Sequence, residues 1–131
     1  MTDRPEPLEA WHRVFESRDP ALLDDLLAET CVFRSPAVHT PQEGKALTKK
    51  YLGAAMVVLS PTLRYEHEWW DDSSAVLEFI ADLDGLTVHG IDMMRWGNDG
   101  RVVEFTVMAR PFKGLTQLMT LMAAELEKQD T

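Results

Sequence analysis

At Ser60-Pro61 the apolar residues of this chain change their spacing, from about 3.6 residues per repeat to about 2. Before that point they recur on helical faces. After it, Leu63, Tyr65, His67 and Trp69 alternate with Arg64, Glu66, Glu68 and Trp70. Then Ala75, Leu77, Phe79, Ala81 and Leu83 alternate with Val76, Glu78, Ile80, Asp82 and Asp84. Helices that precede a run of half-buried strands can bury their faces only by packing on the sheet those strands form, which makes the chain α+β.

The turns set the order of the strands. Asp84-Gly85 suits a two-residue type I′ hairpin turn, which needs positive φ at both positions. The return strand spans Leu86 to Trp96, Gly97-Asn98-Asp99-Gly100 forms a second turn, and Arg101 to Arg110 is the last strand before Pro111. A final helix follows, with Leu115, Leu118, Met119, Met122 and Leu126 on one side. In the first half, Leu8, Trp11 and Phe15 predict a helix from Pro7 to Ser17. Asp19 as N-cap and Pro20 at the first helical position open a second, with Leu22, Leu23, Leu26 and Leu27 as its buried stripe. Thr30 to Ser35 reads as a strand ended by Pro36, and Pro36 to Glu43 as loop. Lys45 to Leu59 is a third helix whose apolar face is Leu47, Tyr51, Leu52, Ala55, Met56 and Leu59. With no repeat or linker, residues 1–131 form a single domain.

Two hairpins allow a register argument. A two-residue turn at Asp84-Gly85 pairs Leu83 with Leu86, Phe79 with Gly90 and Leu77 with Asp92. A four-residue loop at Gly97 to Gly100 then pairs Asp92 with Phe105 and Gly90 with Val107. The resulting face is apolar except for Asp92, and Gly90 leaves room above the sheet. A carboxyl so placed loses hydration, its pKa rises, and in its neutral form it can donate a hydrogen bond. That makes Asp92 the candidate catalytic or anchoring residue. The opposite face mixes Val, Ile and Met with charges, which suits a homodimer interface or a greasy exposed surface.

Composition narrows the partners. A net charge of −9, with no basic run longer than Lys49-Lys50, disfavours nucleic acid and anionic membranes. The single cysteine, Cys31, allows no intrachain disulfide. No apolar run approaches the ~20 residues of a membrane span, and the acidic start Met1 to Glu6 is unlike a signal peptide, so a cytoplasmic location is expected. No phosphate loop, nucleotide fingerprint or Ser–His–Asp signature occurs, so no cofactor is expected. His67 between Glu66 and Glu68 is not a metal triplet, because neighbours along a strand point to opposite faces.

The run Arg18-Asp19-Pro20-Ala21-Leu22-Leu23-Asp24-Asp25-Leu26-Leu27-Ala28-Glu29, the strand Cys31 to Pro36, Gly44 before the third helix, and Ile91-Asp92-Met93-Met94-Arg95-Trp96 with Asn98 to Val103 after it resemble the nuclear transport factor 2-like superfamily. That group includes SnoaL-like cyclases and ketosteroid isomerases. The resemblance implies a cone-shaped, curved antiparallel sheet, with the three helices of the N-terminal half over its concave face and a C-terminal helix added. It implies an apolar pocket lined by Trp11, Phe15, Ser35, Leu52, Met56, Leu77, Phe79, Gly90, Phe105 and Val107, with His39 and Trp69 as possible rim residues. Ketosteroid isomerases carry an Asp-Pro pair where this chain has Ser35-Pro36, so their general base is missing here. Trp11 stands at the position of their oxyanion-hole Tyr, and their oxyanion-hole Asp matches Asp92. The Asp–Arg–Asp set of limonene epoxide hydrolases is absent, whereas the acid/base of SnoaL-like cyclases has a counterpart in Asp92. Ala109-Arg110-Pro111-Phe112 before a Met- and Leu-rich helix looks like a subgroup without an assigned reaction. The resemblance therefore implies an apolar small-molecule binder. The alternatives are a cofactor-free isomerase, cyclase or lyase acting on an apolar carbonyl compound, or a non-catalytic dimerisation module.

Overall fold

The computed structural model describes residues 3–129; Met1 and Thr2 of the acidic start lie outside the described residues. Helix α1 (Glu6–Ser17) leads through a 3-10 turn (Pro20–Leu22) into a single-turn α2 (Leu23–Leu26). Strands β1 (Leu27–Arg34) and β2 (Gln42–Glu43) precede α3 (Lys45–Leu59). The strands β3 (Arg64–Trp70), β4 (Ser74–Leu83), β5 (Leu86–Trp96) and β6 (Val102–Arg110) follow, and α4 (Phe112–Gln129) closes the described chain.

The second helix is shorter than expected. Leu22 is 41% exposed, and Leu27 already belongs to β1. Only Leu23 and Leu26 of the anticipated stripe are buried in α2, so one turn suffices to place them. The start of this segment is as the sequence indicates, with the Asp19 carboxylate accepting the Ala21 N–H at 3.0 Å. Asp19→Ala is expected to cost about 1 kcal/mol in urea unfolding at neutral pH. Helix α3 has the anticipated limits but sits rotated: Leu47 is exposed, while Thr48 is fully buried with its hydroxyl towards the Cys31 carbonyl.

The six strands form one sheet in the order β2-β1-β6-β5-β4-β3. It is mixed rather than antiparallel, because β1 runs parallel to β6. Its two edge strands, β2 and β3, do not pair with each other, so the implied barrel stays open. One face is buried at every second residue of β4 and β5. Against it pack α1 over one end and α4 over the other, with α3 contributing to both of the two adjoining apolar clusters.

The β4–β5 register follows the hairpin argument, with Leu83 opposite Leu86, Phe79 opposite Gly90 and Leu77 opposite Asp92. The β5–β6 register does not. Gly97 N–H bonds to the Arg101 carbonyl, so the loop holds three residues, ending at Gly100 with φ +78°. Then Trp96 lies opposite Val102 but Arg95 opposite Glu104, which leaves Val103 as a bulge. Each irregularity moves the register by one residue, so together they move it by two and restore the original faces. Phe105 and Val107 stay on the inner face, yet Asp92 is opposite Val107, not Phe105. Val102, expected outside, is fully buried.

A second bulge lies in β3. Tyr65 is opposite Phe79, but His67 is opposite Glu78, so Glu66 is the extra residue. Tyr65 therefore points inward, whereas His67 and Trp69 point outward. On that outer face Glu78 is bonded by His67 Nδ1 at 2.8 Å and by His89 Nε2 at 2.7 Å.

Candidate functional site

Strand β5 presents Asp92 to the inner face at mid-length, between Leu77 of β4 and Val107 of β6. The carboxyl is 7% exposed. Beside it lies a cavity of about 270 Å³ with an almost wholly apolar lining. Trp11 and Phe15 of α1, Tyr51, Leu52 and Met56 of α3, and Phe105 and Val107 of β6 form its walls. The end of β1 and the loop after it contribute Phe33, Ser35 and Val38, and α4 adds Met119, Met122 and Leu126.

Several residues expected at this pocket lie elsewhere. Leu77 and Phe79 are fully buried in the packing between sheet and helices and do not reach the cavity. Gly90 does not open space. A Cβ there would meet the Phe79 Cζ at 2.7 Å, so the Phe79 ring itself occupies the volume over the glycine. His39 is exposed in the loop and Trp69 is 58% exposed on the outer face, stacked on His67 with ring centroids 6.0 Å apart. Neither belongs to the rim, Trp69 because the bulge in β3 turned it outward. Ser35 does line the cavity, and its hydroxyl accepts the Ala37 N–H at 3.1 Å.

The group missed from sequence is Tyr65. Its hydroxyl donates to Asp92 Oδ2 at 2.7 Å and accepts from Trp11 Nε1 at 2.9 Å. Its place in the alternation after Ser60-Pro61 was a signal, but the same alternation grouped it with His67 and Trp69, which the bulge sends to the other face. Behind the Tyr65 ring, the His12 ring stands edge-on at 5.6 Å. His12 Nε2 pairs with Glu68 Oε2 at 2.8 Å, and Arg4 reaches Glu68 Oε1 at 2.8 Å.

The electrostatics separate these two carboxyls. Burial pushes Asp92 from its ordinary 3.8 up to about 7, against the opposing pull of the Tyr65 hydrogen bond. Burial, followed by the charge of Asp92, pushes the Tyr65 phenol well above its ordinary range. Burial acts the same way on Glu68, but the hydrogen bonds from Arg4 and His12 outweigh it and hold that carboxyl below its ordinary value. Glu68 is thus a fixed anion that ties α1 to β3, while Asp92 can change protonation near neutrality. Asp92 is the single acidic residue among those lining the cavity. Among the described residues no cluster of His, Cys, Asp and Glu is placed to hold a metal ion, and no helix is long and apolar enough to cross a membrane.

Comparison with known proteins agrees with this architecture. No curated protein matches the sequence. A crystal structure described as a steroid delta-isomerase from Pseudomonas aeruginosa is 36% identical, with a TM-score of 0.90 over 95% of this chain and 91% of that one. An uncharacterised protein with a cystatin-like fold from Silicibacter pomeroyi DSS-3 is 26% identical, with a TM-score of 0.83 over 90% of this chain and 83% of that one. A putative SnoaL-like polyketide cyclase from Jannaschia sp. CCS1 shares the fold at 14% identity, with a TM-score of 0.67 over 95% of this chain and 99% of that one. The pattern of the SnoaL-like domain matches residues 8–105, a span that runs from the first turn of α1 into β6 and includes Trp11, Tyr65 and Asp92. Fold, inner-face carboxyl and matched span agree: the chain belongs to the SnoaL-like domain family, within the nuclear transport factor 2-like superfamily.

Proposed function

We propose that the cavity binds a small apolar molecule that sets one polar group against the Asp92 carboxyl. The observation that carries this reading is a buried carboxyl, with one of its oxygens bonded to Tyr65, at the edge of an otherwise apolar cavity. Apolar walls supply affinity without direction, and a single polar group supplies orientation. At about 270 Å³ the cavity suits a compact ligand. Ala55 lines it from α3 and leaves space for a larger side chain, so Ala55→Phe fills the cavity at a loss of only about 0.5 kcal/mol in helix propensity. Tryptophan fluorescence should report saturable binding of small aryl compounds to the native protein, and loss of binding in Ala55→Phe with the melting temperature retained. Equal binding by both proteins would refute the site.

A second reading is a cofactor-free isomerase, cyclase or lyase acting on an apolar carbonyl compound. It is favoured by the 36% likeness to a protein described as a steroid delta-isomerase. It is also favoured by an Asp92 carboxyl near pH 7, where one group can both take and give a proton. Turnover of a β,γ-unsaturated ketone that is lost in Asp92→Asn would support it.

The outer sheet face offers a place for a second copy of the chain. Val76, Ile80, Ile91 and Met93 are half-buried there, and Met108 is 52% exposed, among charged residues already paired across strands. Such a mixture suits a homodimer contact.

A further inference from the structure

The directions of the hydrogen bonds around Asp92 decide which polar group a ligand has to bring. An indole N–H donates and cannot accept. The Trp11 Nε1–H therefore makes the Tyr65 oxygen an acceptor, at 2.9 Å. The Tyr65 proton is then directed to Asp92 Oδ2, 2.7 Å away. Both bonds run the same way, from Trp11 to Tyr65 to Asp92, and each polarises the next towards a negative carboxylate. Both donors are spent. Among the described residues Asp92 makes this one side-chain hydrogen bond, so Oδ1 is uncommitted beside the cavity that Asp92 lines, and in the charged form that both bonds favour it offers an acceptor.

The surroundings suit a cation. Trp11 and Phe105 have ring centroids 4.8 Å apart, Phe15 and Tyr65 5.5 Å, and Phe33 and Tyr51 5.7 Å, so aromatic rings surround the approach to the carboxyl. Ring faces attract ammonium groups, most strongly where water is scarce. No Lys, Arg or His lines the cavity, so Asp92 has no internal cation. The net charge of −9 draws cations to the surface and repels carboxylate-bearing ligands.

From this geometry we infer that the cavity recognises a protonated lipophilic amine, whose ammonium donates to Asp92 Oδ1 and whose hydrocarbon body lies among the aromatic rings. The inference rests on the proposed small-molecule site and names its ligand class. A carbonyl ligand would need a donor, and with the Trp11 N–H given to Tyr65 and the Tyr65 O–H given to Asp92 the donor nearest to hand is the proton of neutral Asp92, which is lost as pH rises. The titratable groups around Asp92 are few. They are Tyr65 from β3 and Tyr51 from α3, with His12 of α1 behind the Tyr65 ring and paired with Glu68. The lining residues of β6 and α4 carry no charge.

The test is calorimetry with three probes of similar size: phenylpropylamine, phenylpropanol and benzylacetone. At about pH 8 the amine should bind at least about tenfold more tightly than either neutral probe, as expected for a charge-assisted hydrogen bond. Its affinity should rise from about pH 6 to about pH 8, because Asp92 must lose its proton to receive the ammonium. Below pH 7 its binding should release a proton, detected as a heat that depends on the buffer. Asp92→Asn should abolish the amine preference while leaving the neutral probes within about twofold. Tyr65→Phe removes the bond that favours the carboxylate, so the rise should move to higher pH. Benzylacetone binding most tightly, with affinity falling over the same pH range, would overturn the amine inference and leave the small-molecule site standing. Failure of all three probes, together with unchanged behaviour of Ala55→Phe, would remove both.

Discussion

Asp92→Asn is expected to stabilise the protein by up to about 4 kcal/mol at about pH 8, and to change it little at about pH 4. The carboxyl titrates at about 7 in the folded chain against an ordinary value of 3.8. At about 1.4 kcal/mol per pH unit that displacement amounts to about 4 kcal/mol, an upper bound because water in the cavity would reduce it. The sign follows from proton binding. Below 3.8 both folded and unfolded chains hold the proton, and Asp92 contributes no pH dependence. Between 3.8 and about 7 the folded chain keeps a proton that the unfolded chain has lost, so stability falls as pH rises. Above that window the penalty is complete. Asn has nearly the same shape, can accept the Tyr65 O–H, and carries no charge. Glu68, Glu78 and Glu104 are held below their ordinary values, so they act in the opposite sense, losing their contribution as pH falls. They are common to both proteins and cancel in the difference. Urea unfolding of the pair across pH checks this, and a difference independent of pH would show that Asp92 is not held in an unfavourable charge state.

Gly90→Ala should destabilise the fold by about 3 kcal/mol or more. A Cβ at this position would lie 2.3 Å from the Met108 carbonyl oxygen and 2.7 Å from Phe79 Cζ. The Phe79 ring is fully buried between sheet and helices, with little room to turn. The Met108 carbonyl belongs to the β6 backbone, which cannot retreat without parting from β5. Asp92 lies two residues along the same face, so a displaced β6 would also shift Val107 and loosen the Tyr65 bond. Gly97→Ala is the control. Its nearest neighbour would be 3.5 Å away, and its loss should stay below about 1 kcal/mol in the same denaturation experiment. Similar losses for the two variants would mean that close approach is not what Gly90 provides.

Asp92 and its neighbours were legible in the sequence to different degrees. Asp92 could be placed on the buried face from Asp84-Gly85 alone, because a two-residue turn leaves only one pairing for β4 and β5, and the structure shows it. Helix α3 could be delimited because Gly44 precedes it and Pro61 follows closely. The neighbour of Asp92 on β6 is Val107, where the loop argument pointed to Phe105. A shorter loop and a bulge at Val103 each moved the strand by one residue, and their sum leaves the alternation unchanged, so no pattern of apolar residues records it. Tyr65 was hidden by the bulge at Glu66, which breaks the alternation within a single strand.

The sequence by itself determined the α+β class, the order of helices and strands, the central hairpin, and an inward carboxyl at Asp92. These depend on local spacing and turn chemistry, which act over a few residues. The tertiary structure alone decided that β1 pairs in parallel with β6, that the sheet stays open, and that Leu77, Phe79 and Gly90 serve packing while the cavity lies beside Asp92. It also brought Trp11 from α1 and Tyr65 from β3 to one carboxyl on β5. Those contacts join residues 27 and 54 positions apart, and their geometry depends on how the helices settle on the sheet, which local spacing does not encode.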